Sequence, residues 1–414
     1  MANDRADLVV IGAGTVGGWA SYFARSQGAE RVIVVERGRA GVGASSRAAG
    51  IVRAQGGNPT TVALGRWSID FYRGQQARLE TDSGFRELGY LIFAATEEEV
   101  RVGRDRVAMQ RAAGVDARWL EPGEAIEHNP QLARDSFLGA SYLATDGCID
   151  PPRNVLAYAL AMRQAGVELR EHTAFIRLRV DRGKLTGVET SGGTIETSRA
   201  ILTGGPTLHE VGRAADIEIP AGAVRHQVAV TEPHRAFEIE RQAMGFDLGA
   251  GLYWRLEEGG LLFGMSNRDE PPGPAREIDW PYMEKMRSRM ARYLPVTAGL
   301  GLRKAWAATI DYTPDHQPIL GPALTPNGER IEGVTIASAA GHGMMWGPAV
   351  ARIAADLALE GRTEVADVHD LGLDRFDAEG RSRLATDPIA LPFPTAIAGE
   401  PIPAEASHGG GTRA

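Results

Sequence analysis

The feature that most constrains this chain is a glycine fingerprint set between two short apolar runs near its start. Asp7-Leu-Val-Val-Ile11 reads as a buried strand, and Gly12-Ala-Gly14-Thr-Val-Gly17 follows it directly. A helical stretch continues to Gln27, Gly28 stops it, and Arg31-Val-Ile-Val-Val-Glu36 reads as a second buried strand ending in an acid. Together these make a complete βαβ unit rather than an isolated G-x-G-x-x-G. Gly12 permits the tight turn, Gly14 lets a pyrophosphate approach the backbone, and Gly17 lets the helix pack close to the sheet. The helix start offers unpaired N–H groups and a positive dipole end to phosphates. Glu36 can accept hydrogen bonds from ribose hydroxyls, and its charge argues against the 2′-phosphate of NADP. The fingerprint alone does not separate FAD from NAD.

The 414 residues suffice for two sizeable cores, or for one large discontinuous domain with a smaller partner. Net charge is −8 and no basic block stands out, so no nucleic-acid surface is expected. Cys148 is the only cysteine, which excludes an intramolecular disulfide and a cysteine-rich metal site. The nine histidines are scattered without a His-Glu-x-x-His pair, so no metal is expected. The residues before the first strand do not read as a secretory n-region and h-region, so no leader is expected, and no stretch reads as long enough to span a bilayer. The expected location is cytoplasmic.

Further along, a small-residue loop from 37 to 50 leads into Ile51-Val52-Arg53, and helical stretches follow at 59–80 and 97–113. Asp150-Pro151-Pro152 opens another helix, with an acid at the N-cap and prolines in the first turn. Alternating strands from 168 to 200 are followed by Ile201-Leu-Thr-Gly204-Gly205, which suggests the nucleotide-binding unit resuming after an insertion. Segments 224–231, 252–256 and 261–266 read as strands of a second sheet. A buried strand at 331–337 runs into Gly341-His-Gly-Met-Met-Trp-Gly347 and a helix with apolar residues at Val350, Ile353, Ala354 and Leu357, the spacing of one buried face. From about Pro388 the chain is rich in Pro, Ala and Gly and reads as extended or disordered.

Six stretches in this order resemble the D-amino-acid oxidase and glycine/sarcosine oxidase group of FAD-dependent amine oxidoreductases. They are the fingerprint through Glu36, Gly43-Ala-Ser-Ser-Arg-Ala-Ala-Gly50, Asp146-Gly-Cys-Ile-Asp-Pro151, Arg225-His-Gln-Val-Ala-Val-Thr-Glu-Pro233, Thr313-Pro-Asp-His-Gln-Pro-Ile-Leu-Gly321 and Gly341-His-Gly. The resemblance favours FAD over NAD. It implies an α/β architecture (α+β overall): a Rossmann-like FAD-binding domain built from 1–84, 147–222 and 318–388, and a substrate domain with an antiparallel sheet from 85–146 and 223–317. Residues 389–414 would form the tail.

The resemblance also assigns residues. Gly12, Gly14, Gly17, Glu36 and Arg37 would hold the ADP half, with Phe175 on the adenine side. Ser45, Ser46, Arg47 and Gly50 would lie along the pyrophosphate and flavin, and Gly204 belongs to the returning nucleotide segment. Gly341, Gly343, Met344, Met345 and Trp346 would pass beside the ring. There a helix starting near Pro348 aims its positive end at the pyrimidine side, where reduced flavin is anionic. Four positions depart from relatives. Ala308 stands where some carry a flavin-linked cysteine and Arg47 where others carry a flavin-linked histidine, which implies non-covalent FAD. Met345 replaces a carboxylate-binding lysine, and Leu261-Leu-Phe-Gly264 carries no lysine of the kind that speeds reaction with oxygen.

Hydride transfer from the carbon beside nitrogen to flavin N5 asks little of side chains beyond orienting the amine, keeping it deprotonated and excluding water. Arg53 is the candidate carboxylate anchor, since a guanidinium binds a carboxylate bidentately; the alternative is a surface arginine. His226 either accepts a proton or only hydrogen-bonds. His342 positions the ring or polarises substrate. Tyr253 or Trp254 forms an aromatic wall, or simply packs in a core. Asp315 reads as a turn cap. The expected activity is FAD-dependent oxidation of a C–N bond in an N-alkyl or cyclic secondary or tertiary amine or amino acid, giving an imine that hydrolyses. The alternatives are a D-amino-acid or 2-hydroxy-acid oxidase or dehydrogenase, and the FAD subunit of a larger dehydrogenase. The electron acceptor would be O2 or another carrier, and a homo- or hetero-oligomer is possible.

Overall fold

The period-2 alternation of two apolar runs sets the centre of the molecule. Leu8–Ile11 and Val32–Val35 are wholly buried and pair in parallel, Val9 opposite Ile33 and Val10 opposite Val34. Leu8, Val10, Val32 and Val34 face one core with Trp19, Phe23, Tyr158 and Ile353, whereas Val9, Ile11, Ile33 and Val35 face another with Leu202, Ile219 and Ile336. Burial on both faces is what a parallel sheet covered on each side requires. The computed structural model describes residues 4–239, 242–274 and 277–391; of the expected tail, 392–414 lie outside the described residues.

Ala200–Leu202 lies beside Leu8–Ile11 and Arg330–Ser338 beyond it; on the other side follow Val32–Val35 and Glu168–Arg170, all in parallel. Among the described residues five more strands complete a ten-stranded sheet: Asp4–Arg5, Phe175–Asp181, Lys184–Thr190, Gly193–Glu196 and Ile319–Leu324. Helices Thr15–Ser26, Pro151–Gln164 and Gly347–Glu360 contribute to the first core. A methyl group on Gly17 would overlap the carbonyl oxygen of Gly12, so only glycine allows this helix to sit so near the strand end.

A second, eight-stranded sheet runs in the order Leu302–Tyr312, Gly222–Thr231, Gly260–Met265, Leu252–Glu257, Met244–Asp247, Tyr90–Ala94, Gly139–Leu143 and Arg118–Leu120. It is antiparallel except where Met244–Asp247 pairs with Tyr90–Ala94. Alternation again divides its faces. Phe93, Trp254 and Phe263 pack with Met283, Met286 and Met290 of helix Trp280–Tyr293. Tyr90, Val228, Tyr253 and Leu262 turn the other way, towards Ala49, Ile51, Cys148 and Ile389. That second face therefore meets the loops and strand ends beside the parallel sheet. A small sheet of Ile51–Val52, Gly147–Cys148 and Arg86–Glu87 lies there too.

Candidate functional site

The turn after Leu8–Ile11 presents backbone rather than side chains. Gly12 has φ +96°, and Thr203, at the end of the neighbouring strand, donates its hydroxyl to the Ile11 carbonyl at 2.5 Å. Gly204 follows, packed so closely on Leu208 that no side chain fits. The first helix has Gly14 as its N-cap, without a capping side chain. A methyl group on Gly14 would meet only the Ser45 hydroxyl, at 3.3 Å. Ser45 Oγ accepts a hydrogen bond from the Thr15 N–H at 3.0 Å, which brings the loop of Ser46 and Arg47 over this helix start. Glu36 accepts from Ala13 N at 2.9 Å and Gly38 N at 2.8 Å, and its carbonyl receives the Thr173 N–H, two residues before Phe175. Arg37 is exposed and pairs with Glu210 at 3.2 Å.

The second glycine-rich loop sits beside the first. A methyl group on Gly347 would approach Thr15 Cγ2 at 2.9 Å, so the two helix starts adjoin. Ala340 holds φ +45° without being a glycine, and Gly341 follows at φ +79°, a local strain of the kind that gathers at functional loops. Gly343 has open space where a side chain would project. Tyr72 donates to the Met344 carbonyl at 2.9 Å, and the His342 ring lies 4.4 Å from that of Trp346. Met345 and Trp346 are buried. Burial first, and the Arg53 charge second, push His342 down to about 3, so the ring is neutral near pH 7.

Arg53 is buried, not on the surface. Its guanidinium donates to the Gln55 carbonyl and, at 2.6 Å, to the Ile389 carbonyl. Asp146 fixes the strand end that carries it: Ala54 N donates to Asp146 Oδ1 at 2.7 Å and Gln55 Nε2 to Oδ2 at 3.0 Å. Burial pushes the Asp146 carboxyl up to about 7, and burial raises Asp387 as well. The positive charge of Arg53 opposes both shifts, and Arg106 acts with it on Asp387. Arg106 is itself lowered to about 10 by burial, with Arg53 adding repulsion.

His226 sits on Gly222–Thr231 opposite Ala308. Its Nε2 and the Tyr253 hydroxyl lie 2.7 Å apart, with either able to donate according to the tautomer. Gly264, opposite Tyr253 in the next strand, leaves room for that phenol ring. Burial pushes His226 down to about 4 and the Tyr253 hydroxyl up. Arg53, His226 and His316 all lie close enough to His342 to influence its protonation, and all four are buried, so these groups share one neighbourhood. Arg37, Phe175 and Gly204 lie apart from this neighbourhood, Arg37 beside Glu210, Phe175 on a strand of the ten-stranded sheet and Gly204 against Leu208. A cleft of about 980 Å³ opens outside this neighbourhood, lined by Ala48, Tyr72, Arg73, Ile149, Lys304 and Trp306 among others. It borders the early loop but includes none of Arg53, His226, Tyr253 or His342.

Thr203, Gln55, Asp387 and Asp146 hold structural roles beyond those expected from the sequence. Thr203 adjoins a glycine pair and Asp146 opens the Asp-Gly-Cys-Ile-Asp-Pro motif, so both carry a local signal; Asp387 carries none.

These features fit a dinucleotide: an uncapped helix start without side chains, an acid at the second strand end, and open space at Gly343 beside an adjoining helix start. A model of the family described as FAD dependent oxidoreductase matches residues 7–357. The chain is 26% identical over 391 residues to 4-methylaminobutanoate oxidase (formaldehyde-forming) of Paenarthrobacter nicotinovorans, covering 91% of this chain and 46% of that protein. It spans less than half the length of several curated relatives that it matches, this one included. It is 27% identical over 379 residues to sarcosine oxidase subunit beta of Rhodobacter capsulatus, covering 90% of this chain and 89% of that subunit. The solved structure of L-proline dehydrogenase from P. horikoshii is similar at a TM-score of 0.80 and 25% identity, covering 88% of this chain and 96% of that one.

Proposed function

The chain belongs to the FAD dependent oxidoreductase family, and from that premise we propose that it oxidises the C–N bond of an N-alkyl or cyclic secondary or tertiary amino acid or amine. The observation that carries this reading is one buried neighbourhood, beside the second glycine-rich loop, that holds an arginine and histidines kept neutral. FAD, when bound, would supply at N5 an acceptor for the hydride on the carbon beside nitrogen; water then hydrolyses the imine, giving a carbonyl compound and a smaller amine from an N-alkyl substrate, or one ring-opened amino-carbonyl compound from a cyclic one.

This chain's residues then bind, orient and exclude water. Gly12, Gly14, Gly17 and Glu36 hold the ADP half, with Arg37, Phe175 and Gly204 around it. Ser45, Ser46, Arg47 and Gly50 would lie along the pyrophosphate and flavin, and Gly341, Gly343, Met344, Met345 and Trp346 would pass beside the ring. Arg53 takes the substrate carboxylate as a charge-assisted donor. His226 and His342, lowered to about 4 and about 3, are weak bases at pH 7. The same burial that keeps these rings neutral disfavours an ammonium beside them, so the amine binds more readily unprotonated. Tyr253 holds the His226 ring in place and walls the pocket.

The segments 1–84, 147–222 and 318–388 form the cofactor domain in this reading, and 85–146 with 223–317 the substrate domain. The assignment of strands supports that division, since the ten-stranded sheet draws on the first set and the eight-stranded sheet on the second. FAD is held without a covalent link, because Ala308 and Arg47 offer no thiol or imidazole and Cys148 is buried in the small sheet. Acid precipitation should leave the yellow colour in the supernatant; colour retained in the pellet refutes this. Similarity to a sarcosine oxidase subunit supports assembly with another polypeptide, with electrons passed to O2 or to that partner. Among the described residues no helix is long and apolar enough to cross a membrane, which is compatible with a cytoplasmic site of action.

An anaerobic screen tests the main proposal. N-methylated or cyclic amino acids should bleach the oxidised flavin absorbance. Bleaching by primary D-amino acids or 2-hydroxy acids alone would select the alternative activity. Bleaching without reoxidation by air would favour a dehydrogenase, or a subunit with its acceptor elsewhere.

A further inference from the structure

The segment that follows the second half of the chain returns to Arg53 in two unequal parts. Up to Asp387 it is stapled down. Asp315 receives Arg375 Nε at 2.7 Å and the Ser382 hydroxyl at 2.6 Å, Gln317 Nε2 donates to the Ala385 carbonyl at 2.9 Å, and Asp387 N donates to the Asp315 carbonyl at 3.0 Å. From Pro388 to Leu391 the bonding changes. Ile389 N and Ala390 N both turn back to Asp387, at 2.9 Å and 3.2 Å. Among the described residues, the hydrogen bond that ties this stretch to the chain beyond its own neighbour Asp387 is the one the Ile389 carbonyl accepts from Arg53. The Ile389 side chain is fully buried in the cluster that holds Tyr90, Val228 and Tyr253, and Leu391 packs beside it.

We infer that residues 388–391 form a strap occupying the carboxylate position on Arg53, so that an amino-acid substrate binds by displacing the chain's own Ile389 carbonyl. The inference rests on Arg53 being the carboxylate anchor, as proposed above. The strap matches what it replaces: a neutral oxygen acceptor on the guanidinium and an aliphatic side chain against the aromatic strand face. A carboxylate makes the stronger bond to a guanidinium, so it can win the exchange. The strap is displaceable because, outward, it is held by one hydrogen bond and apolar contact. Gly57 allows its close approach, since a methyl group there would overlap Asp387 Oδ1 and crowd Pro388.

The test uses full-length, flavin-loaded protein with acetate and benzoate, which carry a carboxylate but no oxidisable amine. Hydrogen exchange at the Ile389 and Ala390 amides should speed up when either anion binds. Ile389→Ala should bind the anions about tenfold more tightly with unchanged flavin content. Gly57→Ala, which pushes the strap from a residue outside the pocket, should act in the same direction and serves if Ile389→Ala misfolds. Anion binding that leaves those amides unchanged or better protected overturns the strap, as does unaltered affinity in the variants. If the anions bind neither wild type nor variants, the strap falls too. Amines that still bleach the flavin would then leave the proposed oxidation standing, whereas a flavin that no amine bleaches would remove that proposal itself.

Discussion

Arg53 shows how much one position is asked to do. A buried guanidinium needs acceptors and counter-charge, and here it has the Gln55 and Ile389 carbonyls with Asp146 and Asp387 nearby. Arg53→Ala should therefore act twice. Apparent KM for a carboxylate-bearing amine should rise by about two orders of magnitude while kcat changes less, if the arginine serves binding. Stability should fall by roughly 3–5 kcal/mol, as expected when one partner of a buried charged set is removed. Arg53→Lys should recover most of the stability but little of the affinity, because an ammonium cannot bind a carboxylate through a planar fork. Steady-state kinetics beside denaturant melts separate the two effects. An unchanged KM in Arg53→Ala would remove the anchoring role and leave a structural arginine.

At the scale of elements, the Thr313-Pro-Asp-His-Gln turn binds the later chain to the sheets. Asp315 receives its own turn, through Gln317 N at 3.1 Å, as well as Arg375 at 2.7 Å, with both charged side chains buried. Burial raises the Asp315 carboxyl, but Arg375 outweighs it and holds the group below its ordinary range. Asp315→Asn should lower the unfolding free energy by about 3–5 kcal/mol in urea, since it strands a buried guanidinium; a loss below about 1 kcal/mol would mean the site relaxes. The turn was legible in the sequence, because Thr-Pro-Asp has the chemistry of one. So were the βαβ unit, where apolar runs, glycines and acid agree within thirty-odd residues, and the helix after Gly347, where the apolar spacing is helical. Arg375 was not legible as the partner of Asp315, nor Ile389 as that of Arg53. Those pairs lie 60 and 336 positions apart, and neither leaves a local pattern. Residues 388–391 fall in Pro- and Ala-rich sequence that reads as extended chain, and long-range contacts, the Arg53 hydrogen bond and the burial of Ile389, order them. Local periodicity specified elements; side-chain pairing across the fold determined which charges were buried together.

At the scale of the whole molecule, Asp146 ties its two halves. Its carbonyl receives Leu88 N at 3.2 Å and Gly89 N at 2.9 Å, just before Tyr90–Ala94 of the eight-stranded sheet. Its carboxylate holds Ala54 and Gln55, and Gln55 in turn accepts from Ser141 at 2.7 Å and donates to the Tyr90 carbonyl at 2.9 Å. Burial holds the carboxyl at about 7 in the folded protein, against about 4 in an unfolded chain. Between these values the folded state binds more protons, so this group's contribution is fully present below pH 4 and is lost as pH rises to 7. Asp146→Asn removes that loss. The variant's stability relative to wild type should therefore improve steadily from pH 4 to pH 7, by up to roughly 4 kcal/mol, and level off above it. The constant cost of exchanging an oxygen for an amide beside Ala54 shifts the whole curve without bending it. Denaturant midpoints for both proteins across that range provide the measurement. Parallel curves would show that the carboxylate is already ionised at pH 4, with Arg53 rather than burial controlling its charge.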